Sequence, residues 1–467
     1  MRTIKSKLET AAGCNRHILF VVIFFILLSS CESFTDTAPP ASQLFGSDVF
    51  EDKTTATAAM SGIYVKLRDT GMLSGLLGGL NCRLGLYADE FEYYQTGTPD
   101  NFYTNSLIAG EGRISDLWNQ SYNQIYMANA VIEGVEQSSS LLQADRDQLR
   151  GEALFVRALV HFYLVNLFGN IPYVETTDYQ QNTRISRLSI QEVYGHIKAD
   201  LNAAAALLPD AYIAPERIRP NRGAVYALLA RTCLYEGTWA EASDAASAVI
   251  NNPEYVWEND LDKVFLKDSP ATIWQFSSAD SGSNTAEAQI FIFNSGPPLF
   301  VSLSNDMINS FEAGDQRKEH WVRAVSNGNQ TWYHAYKYKH NLSTPSSMEY
   351  SIVFRLSEQY LIRAEARARQ GDIIGAQQDL NRVRSGAGLP ATPAATSESL
   401  VEAVLIERRS EFFTEYGHRF LDLKRYGKLD TVLPLTKPGW NTADRLWPIP
   451  AQELLSNPNL YPQNEGY

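Results

Sequence analysis

The sequence has few cysteines and only one uninterrupted apolar run at its start. Cysteine occurs four times in 467 residues, and Cys14 and Cys31 belong to the N-terminal segment. The remaining two, Cys82 and Cys233, are too few for a disulfide framework or a cysteine-rich metal site. We expect two buried thiols, although a single bond between them stays open. No later run has the length and apolarity of a transmembrane helix, which predicts a soluble body.

Positive charge is also scarce. The chain has 40 Lys and Arg against 53 Asp and Glu, a net charge of −13. Without residues 1–30 it would keep 36 basic and 52 acidic residues, because four basic residues and one acidic residue lie there, and the net charge would be −16. Such a chain repels nucleic-acid phosphates and anionic lipids. We therefore expect no nucleic-acid partner and no polybasic membrane patch.

Common catalytic and cofactor motifs are missing as well. The glycines at 75–79 are not followed by Gly-Lys-Ser/Thr, and the dinucleotide-binding spacing is absent. The seven histidines form no His-Glu-x-x-His, and no Gly-x-Ser-x-Gly occurs. Asp89, Glu90 and Glu92 have oxygen ligands suited to calcium, but a solvated acidic turn is the simpler interpretation. We predict no catalytic residue, no cofactor and no metal site.

The N-terminus contains a secretion signal. Residues 1–16 carry four basic residues and one acidic residue, and Ile18–Leu28 follows as an apolar core too short to span a bilayer. Leu28-Ser29-Ser30-Cys31 then resembles the box of bacterial lipoprotein signals, in which the cysteine is acylated and becomes the first residue. We predict a signal peptide over 1–30, a lipidated Cys31 and a linker over 31–47. An ordinary signal peptide is the alternative.

Helical periodicity dominates the first half of the predicted body. Leu154, Ala158, Phe162 and Val165 form one apolar stripe, which predicts a helix that ends at Gly169. Three further segments have the same character, at 116–137, 189–208 and 223–236.

Two segments match each other at an offset of 134 residues. Residues 222–251 and 355–384 agree at four positions, namely Ala230 with Ala364, Gly237 with Gly371, Ala242 with Ala376 and Val249 with Val383. Small residues at a crossing, a glycine turn and an apolar residue on the returning helix suit a tight antiparallel helix pair, and the pattern resembles a tetratricopeptide repeat. We predict a mainly α fold on a tetratricopeptide-like scaffold, with repeats at about 116–251 and 355–427.

Residues 252–350, between the repeats, have a different composition. They are rich in Ser, Gly, Asn and aromatics, and contain short β-type runs at Thr272–Phe276 and Gln289–Phe293. Asp89–Tyr103 has a similar mixture. Loops on a rigid scaffold commonly carry binding sites. Aromatic rings pack on the C–H faces of sugars while amides, carboxylates and guanidinium groups bond their hydroxyls, so the mixture suits carbohydrate, although most single aromatics are expected in the core.

The last third of the chain carries motifs that are similar to a known family. They are Arg355–Ala366 (RLSEQYLIRAEA), Asn381–Arg384 (NRVR), Glu407–Glu411 (ERRSE), Gly417–Gly427 (GHRFLDLKRYG), Trp447–Pro450 (WPIP), Glu453, Asn457–Leu460 (NPNL) and Gln463–Tyr467 (QNEGY). Together with Leu167–Val174 (LFGNIPYV) and Gly314–Arg317 (GDQR), they resemble the SusD/RagB family of outer-membrane nutrient-binding lipoproteins. Asn170 and Glu465 stand where that family would have Asp and Pro, and the resemblance survives both departures.

Two of these motifs have structural interpretations of their own. Glu407 and Glu411 share a helix face and invite an ion pair with an arginine from another helix, which we favour over acid–base catalysis. The prolines between residues 448 and 462 predict an extended tail over 428–467 that contains no helix.

The resemblance implies a lipid-anchored protein of the outer membrane that faces the cell exterior, with the lipid as its only membrane contact. Glu32 and Asp36 resemble the surface-export signal of some such lipoproteins. The protein would cap a SusC-like TonB-dependent transporter, capture an oligosaccharide glycan and deliver it without catalysis. A peptide- or glycoprotein-binding member, or a surface glycoside hydrolase with paired carboxylates, is the alternative. From loop placement we predict these stacking residues: Tyr94, Phe102, Tyr103, Phe291, Phe300 and Trp332.

Overall fold

A computed structural model describes residues 47–95, 97 and 100–467, so the predicted signal peptide, Cys31 and nearly all of the linker lie outside the described residues. Long helices dominate, as predicted. The α-helices are α1 (Lys53–Asp69), α2 (Leu80–Tyr87), α3 (Gly112–Gln137), α4 (Gln143–Phe168), α5 (Tyr179–Asn182), α6 (Ile190–Leu207), α7 (Arg222–Glu236), α8 (Trp239–Ile250), α9 (Ala286–Phe291), α10 (Asn305–Asn309), α11 (Gln316–Trp321), α12 (Leu356–Arg369), α13 (Ile373–Gly386), α14 (Ser397–Phe412), α15 (His418–Arg425), α16 (Leu429–Val432) and α17 (Ala451–Ser456). Short 3-10 helices occupy Ser47–Phe50, Pro215–Arg217, Leu433–Leu435, Thr442–Arg445 and Pro458–Leu460.

Short strands form two small antiparallel sheets. The strands are β1 (Phe91–Tyr93), β2 (Thr272–Phe276), β3 (Val301–Leu303), β4 (Val322–Ser326), β5 (Thr331–Ala335) and β6 (Ser351–Arg355). One sheet has the strand order β1-β3-β5-β4, with Phe91 opposite Leu303 and Tyr93 opposite Val301, and the other pairs β2 with β6.

The two matching segments are helix pairs, which confirms the predicted repeats. They form α7–α8 and α12–α13, and α8 packs against α12. All six matched alanines and valines are at most 1% exposed. Gly237 and Gly371 have φ angles of 87° and 84°, in the left-handed region that glycine adopts without a Cβ clash. The scaffold is thus the predicted tetratricopeptide-like one.

Helix α4 is the central core helix. Its predicted stripe is confirmed, because Leu154, Ala158, Phe162 and Val165 are at most 4% exposed, and Gly169 caps it with a φ of 74°. Among the described residues it is the one helix long and apolar enough to cross a membrane, but 94% of that apolar window is buried inside the protein. Its apolarity therefore serves the interior packing.

Two local predictions are wrong. Gln289–Phe293 does not form a strand, because α9 occupies Ala286–Phe291 and the Thr285 side chain caps it by accepting the Ala288 N–H. The tail is not free of helix either. Helix α17 starts directly after Pro450 and ends before Pro458, positions at which proline does not interrupt a helix.

The acidic pair of α14 is structural, as predicted. Arg317 of α11 places its guanidinium 2.7 Å from Glu407 and 2.8 Å from Glu411, with all three side chains at most 6% exposed. Cys82 and Cys233 are free and buried, and burial raises the pKa of each thiol to about 12. Neither thiol is a nucleophile at neutral pH.

Candidate functional site

Two polar grooves adjoin beside the loop that follows α1. The first, the Arg83 groove, has a volume of about 250 Å³, and the second, the Asn284 groove, has about 290 Å³. Asp69 and Leu76 line both grooves, so the two share a wall. The Arg83 groove is further lined by Gly78, Arg83, Arg113, Asp116 and Gln120, and the Asn284 groove by Ser277, Asn284, Thr285, Gln289 and Tyr350.

The glycines of this loop permit close backbone packing. A Cβ at Gly79 would lie 1.7 Å from the Ser74 carbonyl oxygen, and a Cβ at Gly75 would lie 2.4 Å from the Glu287 carboxylate. Only glycine fits at either position without a shift of its neighbours. The glycine patch therefore shapes the wall between the grooves, and Gly78 borders the Arg83 groove with open space at its Cβ position.

Two guanidinium groups of the Arg83 groove are held by one buried carboxylate. Asp100 accepts hydrogen bonds from Arg83 at 2.8 Å and from Arg113 at 2.7 Å, and its side chain is only 4% exposed. The Arg83 guanidinium also lies 4.9 Å from the centre of the Phe102 ring. Arg113 keeps 47% of its side chain exposed. Its guanidinium is thus partly open to solvent beside the groove.

Three tyrosines form an aromatic cluster next to this groove: Tyr93, Tyr94 and Tyr103. Tyr93 and Tyr103 stack with ring centres 5.9 Å apart, and Tyr94 donates its backbone N–H to Phe300 and so extends the pairing of β1 with β3. All three side chains are partly exposed. Tyr103 directly follows Phe102, whose ring centre lies 4.9 Å from the Arg83 guanidinium, which places the cluster close to the groove.

The stacked ring of Tyr103 is fixed by charged neighbours. Its hydroxyl donates to Glu92 at 2.6 Å, and the Lys437 ammonium lies 3.8 Å from its ring centre. Burial lowers the pKa of Lys437 to about 8, while Glu92 and Asp89 act in the opposite direction. The lysine is therefore still mostly protonated at pH 7 and keeps its cation–π contact with Tyr103.

Two family models match separate parts of the chain. One, described as starch-binding and associating with the outer membrane, matches residues 86–234, and the SusD family model matches residues 312–467. The chain belongs to the SusD/RagB family.

Relatives match this SusD-family chain over 71% to 96% of its length. A SusD-like protein P2 from Formosa agariphila is 27% identical over 96% of this chain and 99% of its own. The starch-binding protein SusD from Bacteroides thetaiotaomicron is 24% identical over 71% of this chain and 75% of its own. A solved SusD superfamily structure from Bacteroides vulgatus has a TM-score of 0.78 and 24% identity, and covers 89% of this chain and 99% of its own. The fold is thus the SusD fold.

The structure separates the six predicted stacking residues into two groups. Tyr94 and Tyr103 lie in the aromatic cluster, and the partly buried Phe300 adjoins it through its backbone. The other three predictions are wrong, because those rings are covered. Phe102 is 0% exposed and packs edge-on against Trp447, Phe291 is 4% exposed against Phe91, and Trp332 is 4% exposed beneath Gly296.

Several residues of this SusD-family site were not predicted individually. Tyr93 lies in the predicted segment Asp89–Tyr103, and it shares a strand face with the buried Phe91, so alternation alone pointed to the core. Arg83 and Arg113 come from two different helices and meet only at Asp100. No sequence pattern connects these three positions. The composition of Asp89–Tyr103 did mark Tyr93 and Tyr103 as members of one candidate binding segment.

Asp89 and Glu90 of the acidic segment are buried rather than solvated. Asp89 accepts hydrogen bonds from Arg419 at 2.7 and 2.8 Å and from Arg409 at 2.9 Å. Burial acts to raise the pKa of Asp89, but these arginines outweigh it and lower the pKa. Glu90 is buried and accepts the Thr414 N–H at 3.2 Å. The prediction of a solvated acidic turn is therefore wrong, and the described residues contain no group of acidic, His or Cys side chains suited to a metal.

Proposed function

We propose that this chain is a non-enzymatic lipoprotein of the cell surface that captures an oligosaccharide and delivers it to a SusC-like TonB-dependent transporter. The observation that carries the proposal is the aromatic cluster beside the arginines held by Asp100. A sugar ring packs its C–H face on Tyr93, and its hydroxyls bond the N–H groups of Arg83 and Arg113. The name of the Bacteroides relative, a starch-binding protein, supports the same ligand class.

Binding without hydrolysis fits the acidic groups of the grooves. A glycoside hydrolase needs two carboxyl groups across a cleft, one of them free to donate a proton. Asp69, the one acid that lines both grooves, accepts hydrogen bonds from Arg68 at 2.6 and 2.8 Å. The other acidic lining residues are divided between the grooves, with Asp116 in the Arg83 groove and Asp280 and Glu349 in the Asn284 groove. We expect no release of reducing ends when the purified protein is incubated with its ligand, and measurable release would overturn the proposal.

Replacing Tyr93 is expected to weaken glycan binding. The ligand is first identified on a glycan array and then titrated by calorimetry. Tyr93→Ala should lower the affinity by about tenfold or more, since an aromatic contact contributes roughly 1–2 kcal/mol. Tyr93→Phe keeps the ring and should bind nearly as well as the wild type. Tyr461→Ala, which removes a 56% exposed ring far along the chain, is the matched control.

Two results would contradict this site assignment. Equal affinities of Tyr93→Ala and the wild type would exclude the aromatic cluster as the binding platform. Heat from a peptide pool, with none from any glycan, would favour the peptide-binding alternative on the same scaffold.

Replacing Cys31 is expected to separate anchoring from binding. Cys31→Ala removes the acylated thiol, and two or more acyl chains provide the stable part of a lipid anchor. The variant should appear in the soluble fraction while the wild type sediments with outer membranes, and its glycan affinity should be unchanged. A variant that stays in the membrane fraction would argue against lipidation at Cys31.

The transporter partnership is tested separately. The helical scaffold is expected to face the transporter, and the wild type should co-purify in mild detergent with a TonB-dependent outer-membrane protein. Purification of the anchored protein without any such partner would count against delivery, but not against glycan capture.

A further inference from the structure

A third concave site lies on the helical scaffold and shares no lining residue with the two polar grooves. This site, the Tyr126 groove, has a volume of about 400 Å³. That volume falls within the range of about 300–1,000 Å³ that is typical of small-molecule sites. Its walls come from α3, from residues 172–185 and from residues 453–460 of the tail.

The Tyr126 groove and the Arg83 groove lie on nearly opposite faces of α3. Residues 113, 116, 117 and 120 of this helix line the Arg83 groove, whereas residues 118, 119, 122 and 126 line the Tyr126 groove. Successive helical residues are turned by about 100°, so the two sets point in nearly opposite directions. A ligand in one groove therefore leaves the other groove open.

Hydrogen bonds between its walls hold the Tyr126 groove open. The Tyr122 hydroxyl donates to the Pro172 carbonyl at 2.9 Å, which joins α3 to the second wall. The Asn457 amide donates to the Ile185 carbonyl at 2.8 Å, and the Asn459 amide donates to the Arg184 carbonyl at 2.6 Å. These bonds join the tail to the second wall. The groove is thus formed before any ligand enters, which lowers the entropic cost of binding.

The lining combines aromatic rings with neutral polar groups. Tyr126 is 42% exposed and Tyr179 is 71% exposed, one on each of two walls. Behind them, Trp118 and Tyr122 are in contact with ring centres 4.8 Å apart. The exposed amide of Asn119 makes no side-chain hydrogen bond to any described residue, so both its donors and its acceptor are available.

The groove is nearly uncharged. Apart from its tyrosines, its one ionisable side chain is Glu453, whose pKa is raised by burial. Arg187 lies two residues after the lining residue Ile185 and does not line the groove. Its guanidinium donates to the carbonyls of Leu460 and Pro462. An anionic ligand would find no countercharge in this lining, because it contains no Lys, Arg or His. Neutral hydroxyls, by contrast, meet amide and hydroxyl partners as well as ring faces.

From this arrangement we infer that the Tyr126 groove is a second carbohydrate site, which takes a short neutral oligosaccharide stacked on Tyr126 and Tyr179. It is independent of the first site in geometry, but it extends the proposed function from one glycan contact per chain to two. A long glycan chain, or two neighbouring chains of one polysaccharide, would then be held on both sides of α3.

The test uses ligand-detected NMR and calorimetry with five neutral hexasaccharides: maltohexaose, laminarihexaose, cellohexaose, xylohexaose and mannohexaose. The proteins are the wild type, a Tyr126→Ala/Tyr179→Ala double variant and Tyr93→Ala. The matched control is Tyr461→Ala, because Tyr461 is exposed and follows the lining residue Leu460 without lining the groove itself. Circular dichroism and the midpoint of thermal unfolding establish that each variant is folded.

We expect at least one hexasaccharide to bind the double variant with an affinity lower by tenfold or more. Tyr93→Ala and Tyr461→Ala should leave this component of the binding unchanged. If no hexasaccharide shows such a component, the second site is refuted. If the double variant keeps all glycan binding but no longer co-purifies with the transporter, the groove is a protein-docking surface and the inference is wrong. If Tyr93→Ala is the only variant that loses glycan binding, the result supports the first site and refutes the second.

Discussion

Replacement of Arg317 by methionine is expected to lower the free energy of unfolding by about 3–5 kcal/mol, the usual cost of removing one partner from a buried ion pair. Arg317 is 1% exposed and bonds three carboxylates, those of Asp315, Glu407 and Glu411. Methionine preserves much of the apolar stem but leaves these acids without their shared cation. Urea unfolding followed by circular dichroism measures the change.

The matched control for this prediction is an exposed ion pair. Arg150 and Glu136 lie 2.9 Å apart with side chains 42% and 49% exposed, and exposed pairs contribute about 0–1 kcal/mol. Arg150→Met should therefore change stability by less than about 1 kcal/mol. Similar losses in the two variants would mean that the Arg317 cluster does not stabilise the fold through its charges.

Glu411 of this cluster contributes to the acid sensitivity of the protein. Burial acts to raise the pKa of Glu411, but Arg355 and Arg317 outweigh it and lower the pKa to about 2. Because the folded-state pKa lies below the ordinary 4.5, the contribution of Glu411 is complete above pH 4.5 and is lost as the pH falls towards 2. Arg317→Met should shift the onset of acid unfolding to higher pH.

Replacement of Glu90 by glutamine is expected to stabilise the protein at alkaline pH relative to the wild type. Burial, and then the neighbouring charge of Asp89, raises the pKa of Glu90 to about 7 from its ordinary 4.5. As the pH rises above 4.5 the unfolded chain loses this proton first, so the folded state loses stability until about pH 7. Glutamine cannot ionise, and its amide oxygen still accepts the Thr414 N–H.

The expected size of this effect follows from the pKa difference. Between pH 5 and pH 8, the stability of Glu90→Gln relative to the wild type should rise by about 2–3 kcal/mol. Chemical unfolding at several pH values measures it, with the exposed Glu398→Gln exchange as the control for loss of one negative charge. A constant difference across this range would show that Glu90 does not titrate there.

Much of the scaffold was predictable because local patterns encode it. The matched alanines and glycines of the two repeats describe a helix pair directly, and Gly237 and Gly371 occupy the turns as expected. The acidic pair of α14 was also predicted to meet an arginine from another helix, although its identity as Arg317 required the structure. Predictions failed where a single local feature decided the outcome, as at the Thr285 cap that turns a β-type run into α9.

The binding surface was less predictable because the exposure of a ring depends on residues far away in sequence. Phe102 and Tyr103 are neighbours in one segment, yet Phe102 is 0% exposed against Trp447 while Tyr103 lies at the surface under Lys437. Composition marked the segment as suitable for sugar. It could not separate the two rings, since both covering residues lie in the C-terminal tail.

The sequence by itself determined the class of the protein, an acidic, helical-repeat member of the SusD/RagB family with aromatic-rich loops, and it predicted the lipid anchor at Cys31. These properties depend on charge, periodicity and motifs that are read along the chain. The tertiary structure alone decided which tyrosines are exposed, that one carboxylate orients Arg83 and Arg113, and that α3 has a groove on each side. The physical reason is that burial and groove shape arise from contacts between distant segments, which local patterns do not contain.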